Sequence, residues 1–90
     1  MMTKRAPRPQ GNSKSEENER TLLLVNDDIN SFKHVIKALV EVCGHDELQA
    51  EQCAVLTHIK GGCVIKIADV STLEDMSVSL RELSLDTVVI

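Results

Sequence analysis

Residues 21–25 read TLLLV and residues 26–28 read NDD, an apolar run cut off by an acidic, turn-forming triplet. So short a run, stopped so abruptly, fits a buried strand better than a helix. Immediately downstream the period changes. Phe32, Val35, Ile36, Leu39, Val40 and Cys43 recur at helical spacing, Asn30 or Ser31 can cap the start, and Gly44 supplies the stop. A strand, a polar turn and an amphipathic helix together open an α+β domain.

The pattern continues outward from there. Asp46 with Gln49 three residues on forms a capping box, and Leu48, Cys53, Val55, Leu56 and Ile59 predict a broad apolar helix face that ends before Gly61-Gly62. Residues 63–68 (CVIKIA) follow that glycine pair as a β-rich run and predict a second strand. Ser71 and Glu74 make another capping box, opening a third helix to near Leu83 with Leu73, Met76, Leu80 and Leu83 on one face. Residues 87–90 (TVVI) predict a third strand. The order is β-α-α-β-α-β. Isolated strand pairs are marginal, so one three-stranded sheet with the helices on one face is the expected arrangement.

Composition narrows the function. A chain of 90 residues is one small domain, which excludes a two-domain enzyme and makes a large empty active-site cavity improbable. Phe32 is the sole aromatic residue and the net charge is -4, so neither stacking platforms nor a basic face exists for nucleic acid. No apolar run reaches the roughly 18 to 20 residues of a membrane span. Residues 1–10 lack the apolar stretch of a secretory signal, so a cytosolic location is expected. Residues 1–20 hold both prolines, with five Lys or Arg against three Glu and few apolar side chains, and predict a disordered N-terminal extension. Residues 21–90 are then the folded domain, with eleven acidic against five basic residues. Cys43, Cys53 and Cys63 form no CxxC pair and are expected to be reduced, mostly buried small hydrophobes. His34 and His45 are expected at the surface.

Two features could carry chemistry: the Asn26-Asp27-Asp28 cluster after the first strand, and His58 near the end of the second helix. Adjacent carboxylates repel one another and attract cations. A protein's α-amino group, protonated at neutral pH, needs three acceptors, which an Asn oxygen, an Asp carboxylate and an imidazole nitrogen or a carbonyl can supply. The same residues also suit plainer roles. Asn and Asp at a strand-to-helix junction are turn formers and caps, and a histidine among Val55, Leu56 and Ile59 is often a satisfied boundary residue. Cys43, His45, Cys53 and Cys63 are a further alternative as a metal or redox set, although their spacing fits no standard site. Asp27, Asp28 and His58 could mimic an acid-base set, but no nucleophile motif or phosphate-binding glycine pattern accompanies them, so no enzyme is expected.

The string Leu24-Val25-Asn26-Asp27-Asp28, a helix, Gly44-His45, and then residues 50–61 (AEQCAVLTHIKG) resembles the ClpS adaptor family from about Leu22 to Gly61, and more loosely to the end. The resemblance implies an antiparallel three-stranded sheet carrying three helices, behind a disordered N-terminal extension. It implies an adaptor that binds N-degrons, substrates with a large hydrophobic first residue and a free α-amino group. Such an adaptor delivers them to a Clp AAA+ protease, with the N-domain of the Clp AAA+ ATPase as partner and the extension needed for delivery. By the same resemblance Asn26, Asp27 and His58 hold the α-amino group, with Asp28 in the same acidic loop. Asn30 and Phe32 line the pocket for the first side chain, and Thr57 and Leu85 match its walls. Ala54 departs from the family, standing where a Met often gates the pocket. Either Ala54 widens the pocket, enough for Ile or Val, or Phe32 refills the space. Ser31 replaces a frequent Pro. No cofactor, nucleic acid or membrane partner is implied, and a monomer is expected. A protein-interaction module on the same fold, without N-degron recognition, remains the alternative.

Overall fold

The computed structural model describes residues 18–25 and 29–90. The expected extension lies outside the described residues as far as residue 17, and so do Asn26, Asp27 and Asp28. The elements are β1 (Glu19–Val25), α1 (Phe32–Cys43), α2 (Glu47–Lys60), β2 (Gly62–Asp69), α3 (Val70–Glu82) and β3 (Thr87–Val89). This is the β-α-α-β-α-β order expected from the sequence. The strands form one antiparallel sheet in the order β2-β1-β3. β1 begins two residues before the apolar run, because Glu19 and Arg20 still pair with Asp69 and Ala68. Ile90, just past β3, exchanges both backbone hydrogen bonds with Thr21 at 2.9 Å.

β1 is buried on one face only. Leu22 and Leu24 point into the core while Thr21, Leu23 and Val25 are half-buried, the period-two alternation of a sheet covered by helices on one side. A bulge interrupts the β1–β2 ladder: Leu22 faces Lys66 and Leu23 faces Val64, leaving Ile65 unpaired. The bulge turns Ile65 into the core with Leu39, Leu73, Leu80 and Leu85.

Local capping explains the helix boundaries. Ser31 caps α1 by accepting from the His34 amide at 3.1 Å, and Asp46 caps α2 by accepting from the Gln49 amide at 2.8 Å. Gly44 (φ 71°) and Gly61 (φ 90°) close these helices in the left-handed region, which costs glycine nothing. The start of α3 differs from expectation. Asp69, not Ser71, is the cap residue, and its carboxylate accepts from the Thr72 hydroxyl at 2.7 Å. That bond holds the Asp69 carboxyl below its usual range. Asp69 ends β2 in extended conformation, so the strand feeds directly into the helix two residues early.

The face of α2 is the larger correction. Leu48 (64% exposed), Val55, Leu56 and Ile59 (70%) lie outside, and the buried stripe is Ala50, Cys53, Ala54 and Thr57. That stripe also has helical spacing, but its residues are small. The small side chains of that stripe allow α2 to pack directly on α1 and β2, which makes it the inner face despite the larger apolar residues on the other side.

His45 is likewise not at the surface. It is 7% exposed, and its Nε2–H donates to the carbonyl of the bulged Ile65 at 3.0 Å, leaving Nδ1 buried with no partner. A carbonyl left unpaired by a bulge needs a donor, and the α1–α2 turn supplies it. His34 is half-buried too, its Nε2 donating to the Leu83 carbonyl at 2.6 Å.

Candidate functional site

A cavity of about 50 Å³ opens where the end of β1, the start of α1 and the middle of α2 meet. Leu24 and Val25 come from β1, Phe32 and Val35 from the first turn of α1, and Ala54, Thr57 and His58 from α2, with Asn30 between. Each position follows from local structure. Phe32 and Val35 share a helix face at i, i+3, and Ala54, Thr57 and His58 share one at i, i+3, i+4.

The inner wall is held firmly. Leu24, Ala54 and Thr57 are buried, and the Thr57 hydroxyl is committed to the Cys53 carbonyl at 2.8 Å, so it presents its methyl end as an aliphatic residue would. The outer wall is looser. Phe32 is 48% exposed, and its ring meets the exposed His58 ring edge-on at 5.4 Å and 73°. This geometry suits the quadrupoles of two aromatic rings.

The approach to α1 is fixed from behind. Asn30 Nδ2 donates to the Ser84 carbonyl at 2.7 Å, beside the His34 bond to Leu83. Ser84 sits at φ 71° in the left-handed region, in a turn closed by the Leu85 amide on the Leu80 carbonyl at 3.0 Å. The end of α3 thereby anchors Asn30 and the start of α1. Residues 26–28 themselves lie in sequence between Val25 and Asn30, both of which line the cavity.

Of the residues expected in the site, Asn30, Phe32, Ala54, Thr57 and His58 are brought together, while Asn26, Asp27 and Asp28 lie outside the described residues. Leu85 is fully buried in the core and is not among the residues that line this cavity. Leu24, Val25 and Val35 are lining residues the sequence reading did not single out. Val35 could have been found from its i+3 relation to Phe32.

The cysteines gather elsewhere, in and against the core, all as free thiols. Burial pushes the Cys43 thiol up to about 11, with Lys66 opposing, and raises Cys53 further, with the neighbouring Cys63 thiol adding to the effect. Among the described residues no group of three or more His, Cys, Asp or Glu is placed to hold a metal ion. Among them, too, no helix is long and apolar enough to cross a membrane.

A three-stranded sheet with three helices on one face and a small apolar cavity under a polar rim defines a compact binding domain. The family model for the ATP-dependent Clp protease adaptor protein ClpS matches residues 15–86, and the chain belongs to that family. Among solved structures, ClpS2 of Agrobacterium tumefaciens, bound to L-phenylalaninamide, superposes with a TM-score of 0.78 at 18% identity, covering 81% of this chain and 95% of that one. At that identity the likeness speaks for the fold. No curated protein matches the chain.

Proposed function

We propose that this chain recognises the first residue of a protein substrate and presents the captured chain to the N-domain of a Clp AAA+ ATPase. The cavity carries the reading. It has apolar walls inside, Asn30 and His58 at the rim, and lining residues on both sides of the Asn26-Asp27-Asp28 triplet in sequence. Membership of an adaptor family supports it. So does the ligand of the structural relative, since an amino-acid amide offers a free α-amino group beside its side chain.

In this mechanism Asn26, Asp27 and His58 accept hydrogen bonds from the substrate's ammonium, and the side chain of the same residue enters the cavity. Only a chain terminus offers both features at one residue. Burying a Leu-sized side chain contributes roughly 1.5–3 kcal/mol, and each hydrogen bond to a charged group a comparable amount. Ordering the peptide consumes part of this, leaving about -8 kcal/mol, a micromolar Kd. No bond is made or broken. Residues 1–20 serve delivery, and the protein acts in the cytosol as a monomer.

The test is fluorescence anisotropy with a Leu-initiated peptide, free or N-acetylated. Acetylation removes the charge and a donor while leaving the carboxylates desolvated, a loss of several kcal/mol, so binding collapses. Asp27→Ala has the same effect on the free peptide. Equal binding of the acetylated and free peptides would place recognition elsewhere.

A further inference from the structure

We infer that Cys53 and Cys63 form a redox-active dithiol, which small-molecule disulfides convert to an intramolecular disulfide tying α2 to β2. Strand register aims Cys63 at the helix. Cys63 stands opposite Leu24 on the β1–β2 ladder, and directly opposed residues of antiparallel strands project to the same face. Leu24 is buried in the core under the helices, so Cys63 projects there too, packed against the cluster to which Cys53 belongs. Cys53 comes to it from the buried stripe of α2. The two thiols lie within hydrogen-bonding reach of each other, whereas Cys43, at the end of α1, acts on Cys53 only through charge. The nine residues between Cys53 and Cys63 include Gly61 and Gly62, where the backbone can absorb the small adjustment that bonding the sulfurs requires.

Access sets the order of events. β2 is an edge strand, and Cys63 is half-buried near its start, with its Sγ on the Val64 carbonyl at 3.4 Å. Cys53 is 3% exposed, so an oxidant meets Cys63 first. The Cys63 thiolate attacks one sulfur of a disulfide such as oxidised glutathione, forming a mixed disulfide and releasing one glutathione thiolate. The Cys53 thiol then gives its proton to solvent, its sulfur attacks the Cys63 sulfur, and the second glutathione leaves. Two protein thiols are oxidised and one disulfide is reduced to two thiols. Burial raises the Cys53 thiol, which makes this second step the slower one. Ala54 follows Cys53 in α2 and Thr57 donates to the Cys53 carbonyl at 2.8 Å, so the bond fastens the part of α2 that lines the cavity to the sheet.

The experiment treats the full, folded chain with oxidised glutathione in native buffer and follows intact mass, alkylatable thiols and circular dichroism. A transient gain of one glutathione is expected, followed by a monomer two hydrogens lighter than the starting chain. Alkylatable thiols fall from three to one, and dithiothreitol restores all three. A non-reducing tryptic digest is expected to join residues 38–60 to residues 61–66. Residues 38–60 hold both Cys43 and Cys53, so variants assign the bond. Cys43→Ser is expected to keep the lighter form, Cys53→Ala to stop at the glutathione adduct of Cys63, and Cys63→Ser to give no lighter form. Cys63→Ser changes a half-buried position and serves if Cys53→Ala does not fold. No loss of thiols, a stable adduct that never closes, or a disulfide between two chains overturns the inference. So does a lighter form that persists in Cys63→Ser, or one that appears only when circular dichroism shows the chain unfolded.

Discussion

Ala54→Met is the sharpest perturbation of the cavity. Ala54 is buried on the inner face of α2 and lines a space of about 50 Å³, while a methionine adds a chain of a few heavy atoms beyond Cβ. That addition matches the available room, so the side chain fills the cavity without the strain of overpacking a closed interior. The substrate's first side chain then loses its burial, worth roughly 1.5–3 kcal/mol, and the Kd for a Leu-initiated peptide rises by about tenfold to about 150-fold. The fold should hardly notice. Methionine is a good helix former and fits irregular gaps, so the melting temperature stays within about 4 °C, the lower end of the shift that 1 kcal/mol produces in a domain of this size. The assay pairs anisotropy titration with a thermal melt by circular dichroism. An unchanged Kd in a folded variant would mean that the first side chain does not enter this cavity. A collapse in stability would mean that the space beside Ala54 is not there to be filled.

Deleting residues 1–17, which stops short of β1, is expected to leave peptide Kd unchanged but to abolish substrate degradation in a reconstituted Clp protease assay; full activity of the truncated chain would refute the delivery role. His45→Ala strips the Ile65 carbonyl of its donor inside the protein, and urea denaturation should report a loss of about 1–3 kcal/mol; no loss would mean the bulge is satisfied some other way. Cys43 supplies a pH test. Its thiol is pushed from its ordinary value near 9 up to about 11 in the folded chain, so the unfolded chain releases this proton first as pH rises. The associated stability is complete below pH 9 and is lost as pH climbs through 11; melts across that window should fall less steeply in Cys43→Ala, and parallel profiles would contradict the burial of this thiol.

Element order and most boundaries were legible in the sequence because they depend on neighbours within one turn. Ser31 and Asp46 cap where they were expected to, and Gly44 and Gly61 stop α1 and α2 at the left-handed positions that end helices. The start of α3 was not, because two overlapping signals competed and the strand's own last residue, Asp69, took the cap. Of the candidate site, His58 could be named from its place near the end of its helix, while Asn30, Phe32, Ala54 and Thr57 were named through the resemblance to the family. Leu85 could not be placed, since nothing local tells a pocket wall from a core residue at the same apolar position.

The sequence by itself determined the succession of strands and helices, and it supplied an adaptor-like set of polar residues around one strand-to-helix turn. Tertiary packing decided which face of α2 looks inward, that His45 is buried against a bulged strand, and that Phe32 from α1 meets His58 from α2 beside a small cavity. Periodicity and capping act over three or four residues and can be read from a string. The distance at which two helices settle depends on every small side chain between them, and that distance sets both the buried stripe and the room left for a ligand.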